Sequence, residues 1–158
     1  MARPYPLETL RKLRDERAEA HAQGLAAQIA RSQAALAKLG ERERARRLHA
    51  ERIAEQLRAE RARLTDGGAS GADLLRLAEF AKAARAQAEL LERAEAEARQ
   101  ALATERADEE KLRQQLAERE AEARLVRNHE AGFREHQADL AQKADEEAAL
   151  EQWNARPR

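Results

Sequence analysis

The sequence predicts an all-α protein: a long antiparallel two-helix coiled-coil hairpin with an overhanging C-terminal helix. Charged side chains make up 38% of the 158 residues, and 30 basic and 30 acidic residues balance to a net charge of zero. Ala contributes 39 residues and Leu 20, which leaves too few large apolar side chains for a globular core. The prolines lie near the two ends, and three glycines cluster near the middle. This combination is typical of two long helices joined by one loop.

The first helix is expected over about 6–64. Pro6 suits the first helical position, where a backbone N–H has no helical partner, and Glu8 complements the positive end of the helix dipole. Only Gly24 and Gly40 weaken this helix, by roughly 1 kcal/mol each relative to Ala. A seven-residue repeat of inward-facing positions is predicted at Leu25, Ile29, Leu36, Leu39, Ala50, Ile53, Leu57 and Leu64, interrupted by Ser32, Glu43, Arg46 and Glu60.

A loop is predicted over about 65–72, where closely spaced glycines interrupt the helical pattern. Ser70 and Asp73 have the spacing of a capping box, so a second helix is expected over about 73–155. Its apolar residues alternate in steps of four and three. The predicted inward-facing positions are Leu77, Ala81, Ala84, Ala88, Leu91, Ala98, Leu102, Leu112, Leu116, Ala123, Val126, Phe133, Leu140 and Ala144, with Glu95, Glu105, Glu109, Arg119, Glu130 and Gln137 between them.

The short loop makes the two helices nearest partners, in one antiparallel hairpin over residues 1–158. Pairing outward from the loop places residue i opposite roughly residue 137 − i. The stretch from about 131 to 158 then has no intramolecular partner, although it carries Phe133, Leu140, Leu150 and Trp153. Apolar side chains on an unpaired helix need another surface, so we predict an interaction site in this overhang. Homodimerisation through the overhang, or a frayed tail, is the alternative.

The composition argues against several classes of function. Balanced, interspersed charge lacks the surplus of Lys and Arg that nucleic-acid binding requires. No apolar run approaches the ~20 residues of a membrane-spanning helix and no secretory signal is recognised, so we expect a cytoplasmic protein without direct membrane insertion. The chain has no cysteine, and His129 and His136 are too far apart for one metal ion. With no catalytic constellation or phosphate-binding loop, we expect neither an enzyme nor a cofactor.

Charge and aromatic residues are unevenly distributed. The start of the first helix is basic, which favours docking against an acidic partner, whereas the basic stretch 42–47 is interpreted as solvated helix surface. The C-terminal stretch is acidic. Phe80 lies just outside the inward-facing repeat, which favours exposure as an interface anchor; the alternative is that it caps the packing at the loop end. The residues concerned are Arg11, Lys12, Arg14 and Arg17 at the start, Asp145, Glu146, Glu147 and Glu151 at the end, and the aromatic residues Tyr5, Phe80, Phe133 and Trp153.

Three segments carry a family resemblance. They are residues 6–14 (PLETLRKLR), 73–80 (DLLRLAEF) and 142–148 (QKADEEA). In this order they are similar to the opening, the restart after the loop and the ending of the FliJ/YscO family, the stalk proteins of type III export machines in flagella and injectisomes. The resemblance extends over nearly the whole chain, including a first helix shorter than the second. Ala stands here where flagellar members are often rich in Gln, Tyr and Trp.

The resemblance implies a non-enzymatic central stalk. Its termini would enter the pore of a hexameric export ATPase and promote ring assembly and activity. Its loop end would point toward an export-gate membrane protein and export chaperones. It also implies a monomer at the cytoplasmic face of the secretion apparatus. Carried over by position, the ATPase-facing residues are Leu7, Leu10, Arg11, Arg14, Leu140, Asp145, Glu146, Leu150 and Trp153, and the gate- or chaperone-facing residues are Leu77 and Phe80.

Two other functions stay open from the sequence. One is a structural coiled-coil scaffold or spacer that dimerises through the C-terminal overhang. The other is an escort for secretion chaperones, which the same resemblance implies. The choice between a flagellar and an injectisome system also stays open.

Overall fold

The computed structural model describes residues 4–68 and 70–154, and these form two long helices. Helix α1 comprises Glu8–Gly67, with 60 residues, and helix α2 comprises Gly71–Asn154, with 84 residues. No β-strand occurs among the described residues. The prediction of an all-α chain with two long helices is therefore confirmed. Ala155, the last residue of the predicted second helix, lies outside the described residues.

Helix α1 begins two residues later than predicted. The backbone N–H of Glu8 donates to the carbonyl of Tyr5 at 3.3 Å, so Pro6 lies in the turn that leads into the helix. The carboxylate of Glu8 lies 3.0 Å from Nζ of Lys12, one helical turn later. The hydrogen bond from Lys12 and its charge lower the pKa of Glu8 below its ordinary value. An anionic Glu8 in the first turn also complements the helix dipole, as predicted.

The connection between the helices is shorter than the predicted loop over 65–72, because α1 extends through Gly67 and α2 begins at Gly71. Gly68 has a φ of +72°, a conformation that residues with a Cβ adopt rarely. Ser70 Oγ accepts from the N–H of Asp73 at 3.2 Å, and Oδ2 of Asp73 accepts from the N–H of Ser70 at 3.2 Å. This is the predicted capping box, and it makes the residue after Ser70 the first helical one. The bonds from the Ser70 hydroxyl and N–H lower the pKa of Asp73.

Contacts between the helices fall into two compact units. One contains residues 4–26 and 111–154, and the other contains Ala27–Glu110. In the first unit, Tyr5, Ala18 and Ala123 are buried, and Ala123 is only 1% exposed. Positions of α2 that are at least half-buried recur there in steps of three and four up to Gln137. This is the spacing that the sequence predicts for one packed helix face.

The second unit has a more polar interior than the sequence predicts. Leu36 and Ala50 were expected to face inward but are exposed, Leu36 by 49%, so those two predictions are wrong. Gln28 is buried instead, because its amide donates to the backbone carbonyl of Glu105 at 3.0 Å and to its carboxylate at 2.6 Å. A buried amide with both bonds made carries little desolvation penalty. The buried residues of this unit are Gln28, Ser32, Ala84, Glu95, Ala98 and Leu102.

Candidate functional site

Tyr5 fixes the N-terminal segment to α2. Its side chain is buried, and its hydroxyl donates to the carbonyl of Val126 at 3.3 Å and lies 2.9 Å from Nδ1 of His129. The ring also packs at tilted angles against His129 and Phe133, with centroid distances of 5.7 and 5.6 Å. Tilted packing is a favourable geometry for aromatic pairs. The sequence drew attention to Tyr5 as an aromatic residue near the start but did not reveal these partners.

The two predicted ATPase-facing leucines of the first helix are accessible. Leu7 precedes α1 and is 39% exposed, and Leu10, in its first turn, is 36% exposed. Leu13, one turn further along, is 41% exposed. These three side chains share the outer surface of the helix start, at steps of three residues. Part of each of these three apolar side chains therefore remains accessible at the start of α1.

The two predicted ATPase-facing arginines are instead bound within the chain. Nε of Arg11 lies 3.1 Å from Oε2 of Glu130, and the guanidinium of Arg14 binds the carboxylate of Glu122. Both arginine side chains are less than one-third exposed. Their charges are therefore largely compensated before any partner binds. The sequence had suggested that they dock against an acidic partner, and it gave no sign of the carboxylates that face them.

Glu122 joins charges from both helices. Arg119 donates to it from one turn earlier on α2, and Arg14 reaches it from α1. The hydrogen bond from Arg119, together with the charges of Arg14 and Arg119, lowers the pKa of Glu122. Asp15 and Arg127 make a second contact between the helices, at 2.7 Å. These pairs, with Arg11 and Glu130, connect the start of α1 to α2.

Residues 138–154, which we call the tail, form the exposed end of α2. All of them are helical and exposed. Leu140, Leu150 and Trp153 are 47%, 63% and 70% exposed. The predicted ATPase-facing acids Asp145 and Glu146 lie between them, and Glu146 accepts from the amide of Gln142 at 2.9 Å. The tail thus presents apolar and acidic side chains together.

A groove of about 770 Å³ connects the N-terminal segment with the start of the tail. Pro4 and Tyr5 form one side, and α2 contributes Phe133, Gln137 and Leu140. The inward-facing repeat of α2 passes from the half-buried Phe133 and Gln137 to the exposed Leu140 within this groove. Beyond this point every described residue of α2 is exposed. The stretch without an intramolecular partner was expected from about residue 131, which is wrong at Phe133, because its ring packs against Tyr5.

Leu77 and Phe80 lie near the start of α2, in the second unit. Both are half-buried, so the expectation of an exposed Phe80 is wrong. The reason is spacing: Phe80 follows Leu77 by three residues and points toward the same side of α2. Both side chains line a cleft of about 430 Å³ together with Gln56 and Ala59 of α1.

A buried carboxylate lies in the second unit. Glu95 is 7% exposed at its side chain and is bound by Arg46 from α1 at 2.6 Å and by Arg99 at 2.7 Å. Arg99 also reaches Glu43 of α1 at 3.3 Å. The sequence placed Glu43, Arg46 and Glu95 at inward-facing positions, but not Arg99. Substitution of either arginine would leave this buried carboxylate less compensated, which would destabilise the fold.

The described residues hold no group of three His, Cys, Asp or Glu side chains suited to a metal ion. None of the helices in the described ranges is sufficiently long and apolar to cross a membrane. Comparison of the chain with protein-family models, curated proteins and solved structures finds no match.

Proposed function

We propose that the chain is a non-enzymatic central-stalk component of a type III protein export apparatus, with its terminal regions inserted into a hexameric export ATPase. The observation that carries the proposal is the tail, a helical segment that is exposed over its whole length and bears apolar residues. The three segments that resemble the stalk family add the identity of the partner. The stalk would promote assembly and activity of the ring and connect it to the export gate and export chaperones.

The proposal includes an antiparallel coiled-coil hairpin with an overhang. Its support is the order of the contacts within each unit. In the second unit, the residue numbers of the α2 partners fall as those of the α1 partners rise. The pairs are Gln28 with Glu105, Glu43 with Arg99, Arg46 with Glu95 and His49 with Ala84. In the first unit Arg11 binds Glu130, and Arg14 and Asp15, later on α1, bind the earlier residues Glu122 and Arg127 of α2.

The distribution of apolar residues around the tail favours a partner that surrounds it. At 100° per residue, Leu150 lies about 80° and Trp153 about 140° around the helix axis from Leu140. A flat partner surface contacts the side chains on only one side of such a helix. A ring pore contacts several, and large apolar side chains in enclosed pockets contribute most to binding. The acids of the tail call for basic groups on the partner.

The loop end would serve the export gate or chaperones in this proposal. Leu77 and Phe80 line the cleft near the start of α2, and the neighbouring Leu74 and Leu75 are 54% and 65% exposed. This cleft lies in the other unit from the tail. Separate surfaces of this kind suit a protein that binds one partner at each.

The test mixes the full chain with the cognate export ATPase and measures hexamer formation and the rate of hydrolysis. We expect stimulation by the full chain and its loss after deletion of residues 145–158. The double substitution Leu150→Ala and Trp153→Ala should weaken binding by at least roughly 30-fold, the effect of losing one strong interface anchor of about 2 kcal/mol. Leu125→Ala is the matched control, because Leu125 is 71% exposed on the same helix outside the tail. An unchanged hydrolysis rate, or equal stimulation without the tail, contradicts the proposal.

A structural scaffold that joins copies through the tail is the second candidate. The exposed leucines of the tail favour it, since such residues also suit self-association. The same ATPase assay separates the two functions. A scaffold leaves ring assembly and hydrolysis unchanged, whereas a stalk alters both.

A further inference from the structure

An apolar groove lies between the two helices of the second unit. It has a volume of about 660 Å³ and is bordered by residues 46–61 of α1 and 74–92 of α2. Alanines at four positions of α2 leave this space open beside Ile53 and Leu57, which are half-buried. Its apolar floor therefore retains accessible surface on a stretch where the two helices are already packed. The alanines are Ala78, Ala81, Ala84 and Ala88.

The rim of this groove is basic. Arg61 and Arg85 are exposed, and neither lies within ion-pair distance of a carboxylate among the described residues. Arg46 also lines the groove, but Glu95 compensates its charge. Glu92 is the one carboxylate in the described lining. Two guanidinium groups thus stand without an acidic partner beside an apolar floor, a combination that fits an acidic amphipathic segment.

The tail has the matching chemistry. It carries five acids and Lys143, so its net charge is −4. Its helical stretch from Leu140 to Asn154 is about 21 Å long, and the stretch of α1 that borders the groove is about 22 Å long. Leu140 and Leu150 supply exposed apolar side chains for the floor. The acids are Asp139, Asp145, Glu146, Glu147 and Glu151.

We propose that the groove receives the tail of a second copy of this chain as a third packed helix. The acids of the tail would face Arg61 and Arg85, and its leucines would cover the apolar floor. Pairing of two tails with each other is disfavoured, because each carries the same net negative charge. This self-association departs from the monomer that the family resemblance implies. It stands independently of the proposed stalk function.

The test measures the self-association of the full chain by sedimentation velocity over a wide range of concentration. We expect reversible dimers or larger assemblies that weaken as salt rises, because exposed ion pairs are screened. Reversal of the groove, Arg61→Glu with Arg85→Glu, should weaken association roughly tenfold. Reversal of the tail, Glu146→Arg with Glu147→Arg, should weaken it similarly. Combining the four substitutions should restore most of the lost affinity.

The matched control is Arg31→Glu with Arg42→Glu, which makes the same change in net charge at two exposed arginines outside the groove. Circular dichroism verifies that each variant keeps its helices. A chain that stays monomeric at every concentration overturns the proposal. Association that the groove reversal leaves unchanged also overturns it. So does a chain with all four substitutions that associates no more tightly than the two double variants.

If both proposals hold, a tail seated in a second copy is withheld from the ATPase. Addition of the ATPase should then dissociate the self-associated form, because the two compete for the tail. The two can fail separately: self-association without ATPase stimulation supports the groove alone, and stimulation by a strictly monomeric chain supports the stalk alone.

Discussion

Two stretches of the same helix, residues 112–137 and the tail, differ in burial and in charge. Both are rich in Ala, Glu and Gln, but the first contains five arginines and the tail contains none. In the first, a buried or half-buried position recurs every three or four residues, and Glu122 and Glu130 bind arginines of α1. In the second, every residue is exposed. The same helix therefore presents a packed face over the first stretch and exposed residues over the second. Stability is expected to reside in the first stretch and binding in the second.

The sharpest test of this comparison places the same substitution in both stretches. Ala123→Glu introduces a carboxylate at a position that is 1% exposed, whereas Ala144→Glu introduces it at an exposed position of the tail. A buried, unpaired charge should reduce the free energy of unfolding by about 3 kcal/mol. The tail substitution should change it by no more than about 0.5 kcal/mol. Urea unfolding followed by circular dichroism measures both.

The outcome for the tail variant carries most of the information. If Ala144→Glu destabilises the chain as strongly as Ala123→Glu, the tail is packed in solution and the comparison fails. If that loss grows with protein concentration, a second copy is the packing partner, since binding to the folded state then adds to stability.

A smaller effect is expected at the N-terminal segment. Tyr5→Ala removes the ring that contacts His129 and Phe133 together with the hydroxyl bonded to Val126. We expect a loss of about 2–3 kcal/mol in the free energy of unfolding. Tyr5→Phe keeps the ring and should lose only about 1 kcal/mol, the usual contribution of a hydrogen bond. Leu150→Ala in the tail, at 63% exposure, is the control and should stay within about 0.5 kcal/mol of the parent chain.

Equal losses for Tyr5→Phe and Tyr5→Ala would show that the hydroxyl alone fixes the segment. No loss for either would remove Tyr5 from the packed part of the molecule. In either case the ring of Tyr5 would not contribute to the stability of the packed stretch, which would then depend on contacts between α1 and α2.

The sequence predicts the helices and the cap well because these depend on local chemistry. Ser70 and Asp73 bond each other three residues apart, and the repeat of α2 is continuous in one segment. The inward face of α1 is predicted less completely: Leu36 and Ala50 are exposed, while Gln28, outside the predicted repeat, is buried. Hydropathy disfavours a buried glutamine, but the bonds that Gln28 donates to Glu105 on the other helix satisfy its amide there.

The same distinction applies to the candidate surfaces. Every residue of the tail is exposed, in the region where the sequence predicts that unequal helix lengths leave no partner. The pairing of Arg11 and Arg14 with carboxylates of α2 depends on which side chains meet across the two helices. So does the absence of such a partner at Arg61 and Arg85 among the described residues. The charge pattern along a single stretch of sequence does not show which side chains meet across two helices.

The smallest expected effect is a pH dependence at Glu122, in the packed stretch. The hydrogen bond from Arg119 and the charges of Arg14 and Arg119 hold its pKa in the folded chain below the ordinary value of 4.5. The folded state then binds this proton less readily than the unfolded state does. The resulting stabilisation is fully present above about pH 4.5 and is lost as the pH falls through the lowered pKa. Glu122→Gln should therefore destabilise the chain at neutral pH and lose that effect in acid.

The matched comparison is Arg119→Gln, because Arg119 is the main cause of the shift. Urea midpoints at pH 7 and pH 3 for the parent, both single variants and the double variant form a thermodynamic cycle at each pH. The coupling between Glu122 and Arg119 should be measurable at pH 7 and smaller at pH 3. Because Glu122 also binds Arg14, the pH dependence of the Glu122→Gln effect should disappear in a chain that carries both Arg119→Gln and Arg14→Gln. A pH dependence that persists unchanged in that chain would mean that neither arginine lowers the pKa of Glu122. In that case the ion pairs across the packed stretch contribute geometry rather than stability, and the difference from the tail rests on Ala123 and its apolar neighbours.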